Sequence, residues 1–392
     1  MEKGFNRREW LKLAGTALIS LSAGKVLPEE KMIPAGKGIP LLDSAYIYFC
    51  PELVEIIAPG PIIRPDGTSI CSWSRRPYLE LNFEDARFYP IPYFQRYRMK
   101  KWEMYHMSTP DIYLSFLIAW IGYGSFFSAY LYDRKTRQGY EDIHLRLPRP
   151  ELEMMRDSTQ GITRYESAKA NASFEVRGER RKILVDFPGF AQVGLKAELE
   201  LFLPESYESI CATHLTHPRR CHYDHKINCM IAQGALKLAD QTFKLNPADS
   251  FAMLDFSRGF PPSKLFWYWA VASGRDEAGK PIGFNLGYGN HPAQTNENAV
   301  FYDGKVHKIG ITRCLAPRDD LMKPWQVLTE DGRVDLAFIP ENVRTSNLKI
   351  GSMYSVGNPA LGLYSGSLVL DSGRRVQIKN LFGLYEWFNQ KW

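Results

Sequence analysis

At 392 residues the chain is long enough for two ordinary domains with well-buried cores. Aromatic residues make up 13%, with 30 glycines and 25 prolines, a mix that favours β-rich architecture over helical bundles. The net charge of +6 is mild, and lysines and arginines are scattered among acidic residues with no basic stripe, which excludes a nucleic-acid-binding class.

The chain opens with "NRREWLK", in which Arg7 and Arg8 form a positive region ahead of a short apolar stretch over 11–23. That stretch is too short to span a bilayer comfortably, and it runs out in the small residues Ser20, Ser22, Ala23 and Gly24. Residues 1–24 resemble a twin-arginine export signal, with Asn6 where Ser or Thr is usual and Trp10 in place of Phe. The resemblance implies the twin-arginine machinery as a partner and a periplasmic or otherwise exported protein. An oxidising compartment opens disulfide chemistry to the six cysteines, which allow fifteen pairings. A Pro-rich lead-in follows over 25–60.

Residues 112–132, "IYLSFLIAWIGYGSFFSAYLY", are uncharged and about long enough to cross a membrane. The break at Gly122 and Gly124 and the Tyr/Phe/Ile/Ser content predict two buried strands instead, so no transmembrane span is expected in the mature chain. Further on, "SFEVRGERRKILVDFP" reads as two strands around Arg177-Gly178. In "GLKAELELFL", Leu195, Ala197, Leu199 and Leu201 alternate with Lys196, Glu198 and Glu200. Asp303-Gly304 and Asp331-Gly332 each sit between β-type runs, a strong hairpin signal, and Ser372-Gly373 repeats it. Helical periodicity is confined to a short piece near Leu152 and to the C-terminal "NLFGLYEWFNQKW". The expected fold is all-β and antiparallel, closed as barrels or sandwiches to hide strand edges. A break near Pro204 divides it into domains over 61–204 and 205–392.

Three stretches carry candidate chemistry. "CATHLTHPRRCHYDHKINC", 211–229, holds three of the six cysteines and four of the eight histidines. Zinc takes about four N or S donors, and several subsets here supply them; His217, Cys221, His225 and Cys229 are the chosen set, with a hairpin turning at "HPRR". The competing account is a plain hairpin with a disulfide at Cys221 or Cys229. The second stretch, "AMLDFSRGFPPSKLFWYWAVASG", sets Asp255 and Arg258 beside Trp267, Tyr268 and Trp269. An acid held among aromatics has a raised pKa and could protonate an alkene or epoxide, whereas an Asp255–Arg258 pair would simply brace a turn. The third, "GFNLGYGNHPAQTNENAVFYDGKVHK", contains no dinucleotide fingerprint, but Asn285 and Glu297 are polar groups able to line the same ligand pocket.

The succession "WSRRPY", "KKWEMYHMSTPDIYLSF", "LDFSRG", "FWYWAVASG", "GFNLGYG", "NENAVFYDGKVHKIG", "DGRVDLAF" and "GLYSGSLVLDSGRRVQIKNLFGLYEW" resembles the family called domain of unknown function 2804, from about Pro40 onward. More distantly, "LDFSRG" followed by "FWYWAVASG" is similar to the Asp-His-x-Trp-Gly and Trp-x-Trp elements of carotenoid hydratase and AttH-like proteins. Tocopherol cyclase-like proteins share the general architecture. This likeness implies two lipocalin-like β-domains and a hydrophobic, isoprenoid or lipid-like ligand in a barrel pocket. It also implies a proton-donating role for Asp255 and an aromatic role for Trp267 and Trp269. Phe256 stands where those proteins carry histidine. A non-catalytic lipid carrier and a zinc enzyme built on 211–229 are the alternative functions.

Replacing Arg7 and Arg8 together with lysine is expected to leave the precursor in the cytoplasm without altering the mature fold. Cell fractionation checks this, and undiminished periplasmic delivery in the variant would count against the signal.

Overall fold

The computed structural model describes residues 53–147, 152–217, 220–289, 296–317 and 319–391, so the expected export signal over 1–24 and most of the Pro-rich lead-in lie outside the described residues. Two large antiparallel sheets, each curled into a half-barrel, account for nearly all of it. In the first, the meander Lys100–Ser108, Ile112–Trp120, Ser125–Asp133 and Gln138–Arg146 lies on one side. The meander Gln160–Glu166, Asn171–Arg177, Arg180–Phe187 and Leu195–Phe202 lies on the other. They are joined through Phe251–Gly259 and the long strand Arg220–Leu238. The second sheet centres on Lys264–Arg275, Arg375–Lys391 and Met353–Val369.

The local signals explain much of this. Residues 112–120 and 125–133 are the two buried strands expected, turning at Gly122–Gly124. Leu195, Ala197, Leu199 and Leu201 are all buried, and the Asp303-Gly304 hairpin has positive φ at both turn residues, as its type demands. The two expected helices are not helices. Residues 375–391 form a strand, because "LFGLYEWFN" finds pairing partners on both edges, at 264–272 and 354–369. Around Leu152 the described residues form an isolated bridge at Glu153. Among the described residues the α-helix is instead Pro92–Arg98, with Pro in its first turn. No helix among the described residues is long and apolar enough to cross a membrane. The strands on either side of Pro204 belong to one sheet, and the chain passes to the second sheet between Gly259 and Lys264.

Both half-barrels are filled by their own side chains. In the first, Tyr105 meets Phe174 edge-on and Phe127 contacts Phe116, Tyr165 and Phe187. In the second, Trp325, Phe338, Tyr364 and Tyr385 interlock, with Trp325 and Tyr385 edge-to-face at 4.6 Å between centroids. The alternate residues of the central strands therefore face outward, and the two sheets pack on one another by those outer faces. Two apolar clusters lie in the seam. Tyr113, Tyr130, Met253, Trp269, Val271, Phe382 and Leu384 form one; Trp73, Ile210, Ala212, Cys229, Ala299 and Phe301 form the other.

Phe338 is fully buried at the centre of the second core. Phe338→Ala is expected to cost about 3–5 kcal/mol, read by urea denaturation, since the surrounding aromatics cannot collapse into the gap. A loss below about 1 kcal/mol would mean the core is loosely packed.

Candidate functional site

The long strand Arg220–Leu238 supplies the middle of the seam, because its alternation divides ionisable residues between two environments. Cys221, Tyr223 and Ile227 point into the first core. His222, Asp224 and Lys226 point the other way. Lys226 donates to Asp255 Oδ1 at 2.6 Å and lies 3.4 Å from Glu297 Oε1, which comes from the second sheet's side of the seam. The same ammonium lies 5.3 Å from the centre of the Trp269 ring. Asp224 Oδ2 is 3.1 Å from His222 Nε2 and 3.4 Å from His214 Nε2. Gly259 pairs with His222 at φ 145°, and a Cβ there would come within 2.5 Å of the His222 Cα, so only glycine lets the strands approach at this point.

Three carboxylates thus surround one ammonium in a buried seam, and the shifts follow from that imbalance. Burial raises the Asp255 carboxyl, with Lys226 opposing and Asp224 and Glu297 adding to the rise. Burial pulls Lys226 down, but Asp255, Glu297 and Asp224 outweigh it and hold the ammonium charged well above the ordinary range. Burial likewise raises Asp224, yet His222, Lys226 and His214 overcome it and keep that carboxyl ionised far below its usual range.

A half-buried aromatic rim borders this cluster. Trp102 donates its indole N–H to Asp255 at 3.1 Å. Trp267 stacks on Phe388 at 5.1 Å and donates to Glu386 Oε1 at 2.9 Å. Burial pushes the Glu386 carboxyl up to about 7; Trp267 and Arg344 pull against this and Asp255 adds to it. Asp255 is the least enclosed charge of the central cluster, its side chain 14% exposed against 0% for His214. Trp269 donates to Asn285 Oδ1 at 2.7 Å, and Asn285 donates to the Glu297 carbonyl at 3.0 Å, which ties the second sheet's strands together beneath the cluster.

Of the expected site residues, Asp255, Trp267, Trp269, Asn285 and Glu297 are brought together in the seam. Arg258 and Tyr268 are not. Three residues after Asp255, Arg258 lies on the opposite face of its strand and donates to the carbonyls of Trp102, Ser257 and Met155 inside the first half-barrel. Burial, offset by the nearby Glu103, lowers its guanidinium to about 10. The cation paired with Asp255 is Lys226, from the neighbouring strand. Tyr268, flanked by the two seam tryptophans, packs against the second core.

The chosen zinc set is also separated. Cys221 packs in the first core and Cys229 in the seam cluster, because a bulge between Ile227 and Met230, with Cys229 at φ 61°, interrupts the alternation. Both ring nitrogens of His225 are engaged, by Ser158 at 2.6 Å and Ser209 at 2.7 Å, and burial lowers its pKa to about 3. The His217 side chain lies outside the described residues. Cys211, Cys221, Cys229 and Cys314 are buried free thiols, so neither Cys221 nor Cys229 forms a disulfide. The donors that do converge are His214, His222 and Asp224, all within 4.8 Å of one another.

Sequence reasoning passed over Lys226, Asp224 and Glu386. Alternation through "CHYDHK" was the available signal for the first two; Glu386 was hidden by a helical reading of its segment. A shallow hollow of about 520 Å³ lies among Arg164, Ser173, Leu184 and Lys237, on the outer side of the first sheet. It shares no residue with the seam.

An all-β protein of two curled antiparallel sheets, with an ionised cluster sealed in the seam between them, is the class that fold and site define. The chain belongs to the family described as domain of unknown function (DUF2804), whose profile matches residues 53–392. Among solved structures it is similar to kievitone hydratase from Nectria haematococca, with 12% identity over 74% of this chain and 88% of that one, at a TM-score of 0.41. An AttH-like protein from Nitrosomonas europaea gives 9% identity over 75% and 92%, at 0.37. No curated protein matches.

With a folded pKa of about 7 against an ordinary 4.5, Glu386 stabilises the fold fully below about pH 4.5, and that contribution is lost as pH rises to about 7. Glu386→Gln keeps an acceptor for Trp267 without a titrating charge. Relative to the unsubstituted chain it is expected to be neutral at about pH 4 and stabilising by up to about 3 kcal/mol at about pH 8. Denaturation midpoints at the two pH values check this, and a pH-independent difference would contradict it.

Proposed function

We propose that this chain binds an apolar, unsaturated small molecule of isoprenoid or lipid type at the aromatic edge of the seam and transfers a proton to it. The observation that carries this reading is the placement of two carboxyls, Asp255 and Glu386, each accepting a hydrogen bond from a half-buried indole, Trp102 or Trp267, at the edge of an enclosed charged cluster. Aromatic walls with a few fixed polar groups suit an apolar ligand that must be oriented for reaction. The likeness of "LDFSRG" and "FWYWAVASG" to isoprenoid-hydrating proteins points to the same ligand class.

Glu386 is the better acid of the two. A carboxyl poised at about 7 can both give and recover a proton near neutrality, whereas Asp255 is held by the Lys226 ammonium at 2.6 Å. In this mechanism the Glu386 O–H bond breaks and a C–H bond forms on one carbon of a double bond. The cation left on its neighbour is stabilised by the Asp255 carboxylate and the faces of Trp102 and Trp267. Water adds to that carbon and returns a proton to Glu386, giving hydration; loss of an adjacent proton to Glu386 gives an isomer instead. Both paths balance without a redox partner. The same reading includes export through the twin-arginine route on the strength of Arg7 and Arg8, with the protein acting in the periplasm or otherwise outside the cytoplasm.

The test uses unsaturated isoprenoid alcohols as probes, with binding followed by tryptophan fluorescence and products by mass spectrometry. The unsubstituted chain is expected to bind and to yield a hydrated or double-bond-shifted product. Glu386→Gln should retain binding and lose turnover by about 10²–10⁴-fold. Binding without product in the unsubstituted chain would make the protein a carrier, and binding indifferent to Trp267→Ala would remove the seam from the reading altogether.

A further inference from the structure

The innermost part of the seam, behind the Asp255–Lys226 pair, has no task in the proton transfer. His214 and His222 face each other directly across the 210–226 hairpin, with ring centroids 4.9 Å apart. Asp224, two residues beyond His222 on the same face, turns Oδ2 toward both Nε2 atoms, at 3.4 and 3.1 Å. From the segment just ahead of strand Ala299–Tyr302 of the other sheet, Glu297 brings Oε2 to 3.9 Å from His214 Nε2. Glu297 is 9% exposed, and its Oε2 is buried with no hydrogen-bond partner among the described residues. Two imidazoles and two carboxylates therefore converge, from two strands of the first sheet and from the segment just ahead of strand Ala299–Tyr302 of the second.

We propose that His214, His222, Asp224 and Glu297 hold one divalent transition-metal cation of zinc type. Donors about 2.0–2.2 Å from a tetrahedral zinc stand roughly 3.3–3.6 Å apart; the His222–Asp224 and His214–Asp224 contacts are 3.1 and 3.4 Å, and Glu297 approaches from the His214 side at 3.9 Å. Charge points the same way. Asp224, Asp255 and Glu297 stand around the Lys226 ammonium, so carboxylates outnumber the ammonium within this contact set, and a dication offsets part of that excess. Nitrogen and oxygen donors without thiolate suit Zn²⁺ or Co²⁺ over softer ions. The four ligands are buried in the contact between the sheets, so the cation joins the two half-barrels as a structural centre. This site stands apart from Glu386, and its failure would leave the proton-transfer proposal untouched.

A cation so enclosed is loaded as the chain folds, and the experiment has to allow for that. Protein purified from zinc-supplemented culture without chelator, and protein refolded from denaturant with Zn²⁺ present, should each carry about one zinc per chain by elemental analysis. X-ray absorption should show only nitrogen and oxygen in the first coordination shell. Refolding with Co²⁺ should give visible bands of a four-coordinate ion, lost in His222→Ala and Asp224→Asn. His225→Ala, altered on the opposite face of the same strand, should keep the metal. Folded protein free of metal after both treatments would overturn the proposal, as would sulfur in the coordination shell. Unchanged metal content in His222→Ala and Asp224→Asn would do the same.

Discussion

The Lys226 ammonium is the group on which the arrangement of the seam depends. It stands between Asp255 on its own sheet and Glu297 on the other side of the seam, with Asp224 two residues away on its own strand. A buried charge is tolerated only when its partners are fixed in place, and here the partners come from both sheets. The two half-barrels therefore cannot slide past one another without stranding a charge. Asn228 reinforces the same registration, donating to the carbonyls of Ala272 and Phe284 across the seam, and Cys229 N–H donates to Ser273 Oγ. At the far end, Arg134 grips Glu341 through two hydrogen bonds and Arg344 reaches Glu141. Directional contacts thus set the angle between sheets whose apolar clusters alone would accept several.

Why the indole-bordered, ionised cluster sits in the seam follows from how the barrels are filled. Each interior is occupied by interlocking aromatic rings, which bury much apolar area and leave small gaps. The first interior also encloses charges of its own, Glu103, Arg181 and Arg258, all buried. Outer faces of curled sheets are wide and gently curved, so two of them in contact touch well along their apolar clusters and diverge toward an edge. Trp102, Trp267 and Phe388 are half-buried at such an edge, where large rings with polar N–H groups suit a boundary between packed interior and water.

The fold was legible in the sequence wherever the signal was local. Period-two alternation in "GLKAELEL", glycine-bearing turns at Asp303-Gly304, and the Gly122 break in an otherwise membrane-like run each reflect forces acting within a few residues. The site was legible only in part, because its geometry depends on register between distant strands. Trp267, Trp269 and Asp255 announce themselves by type, but that Asp255 meets Lys226 follows from a pairing between 220–231 and 251–259, which composition does not encode. Arg258 was grouped with Asp255 by closeness in sequence, although a separation of three along a strand places them on opposite faces. Glu386 was lost for a related reason. "GLYEWFN" has no strict alternation, since strands on both its edges and contacts on both its faces make nearly every position at least half-buried.

One strand shows how these constraints combine. Through 221–227 the odd residues enter a core and the even ones enter the seam, so a single stretch supplies Cys221 and Tyr223 to packing and His222, Asp224 and Lys226 to charge. Had the alternation continued, Cys229 would have joined Cys221 and Tyr223 on the core face. The bulge between Ile227 and Met230 prevents that, turning Cys229 into the seam while Met230 resumes the first core. The cysteines are thereby kept apart as inert, buried thiols, their pKa values raised by burial to about 12. Asn228, next on the even face, reaches the second sheet's backbone. A ligand-rich stretch is in this way sorted, by alternation and one irregularity, into packing thiols, a polar clasp and a charged face. The imidazoles and carboxylates of that face are the donors that converge.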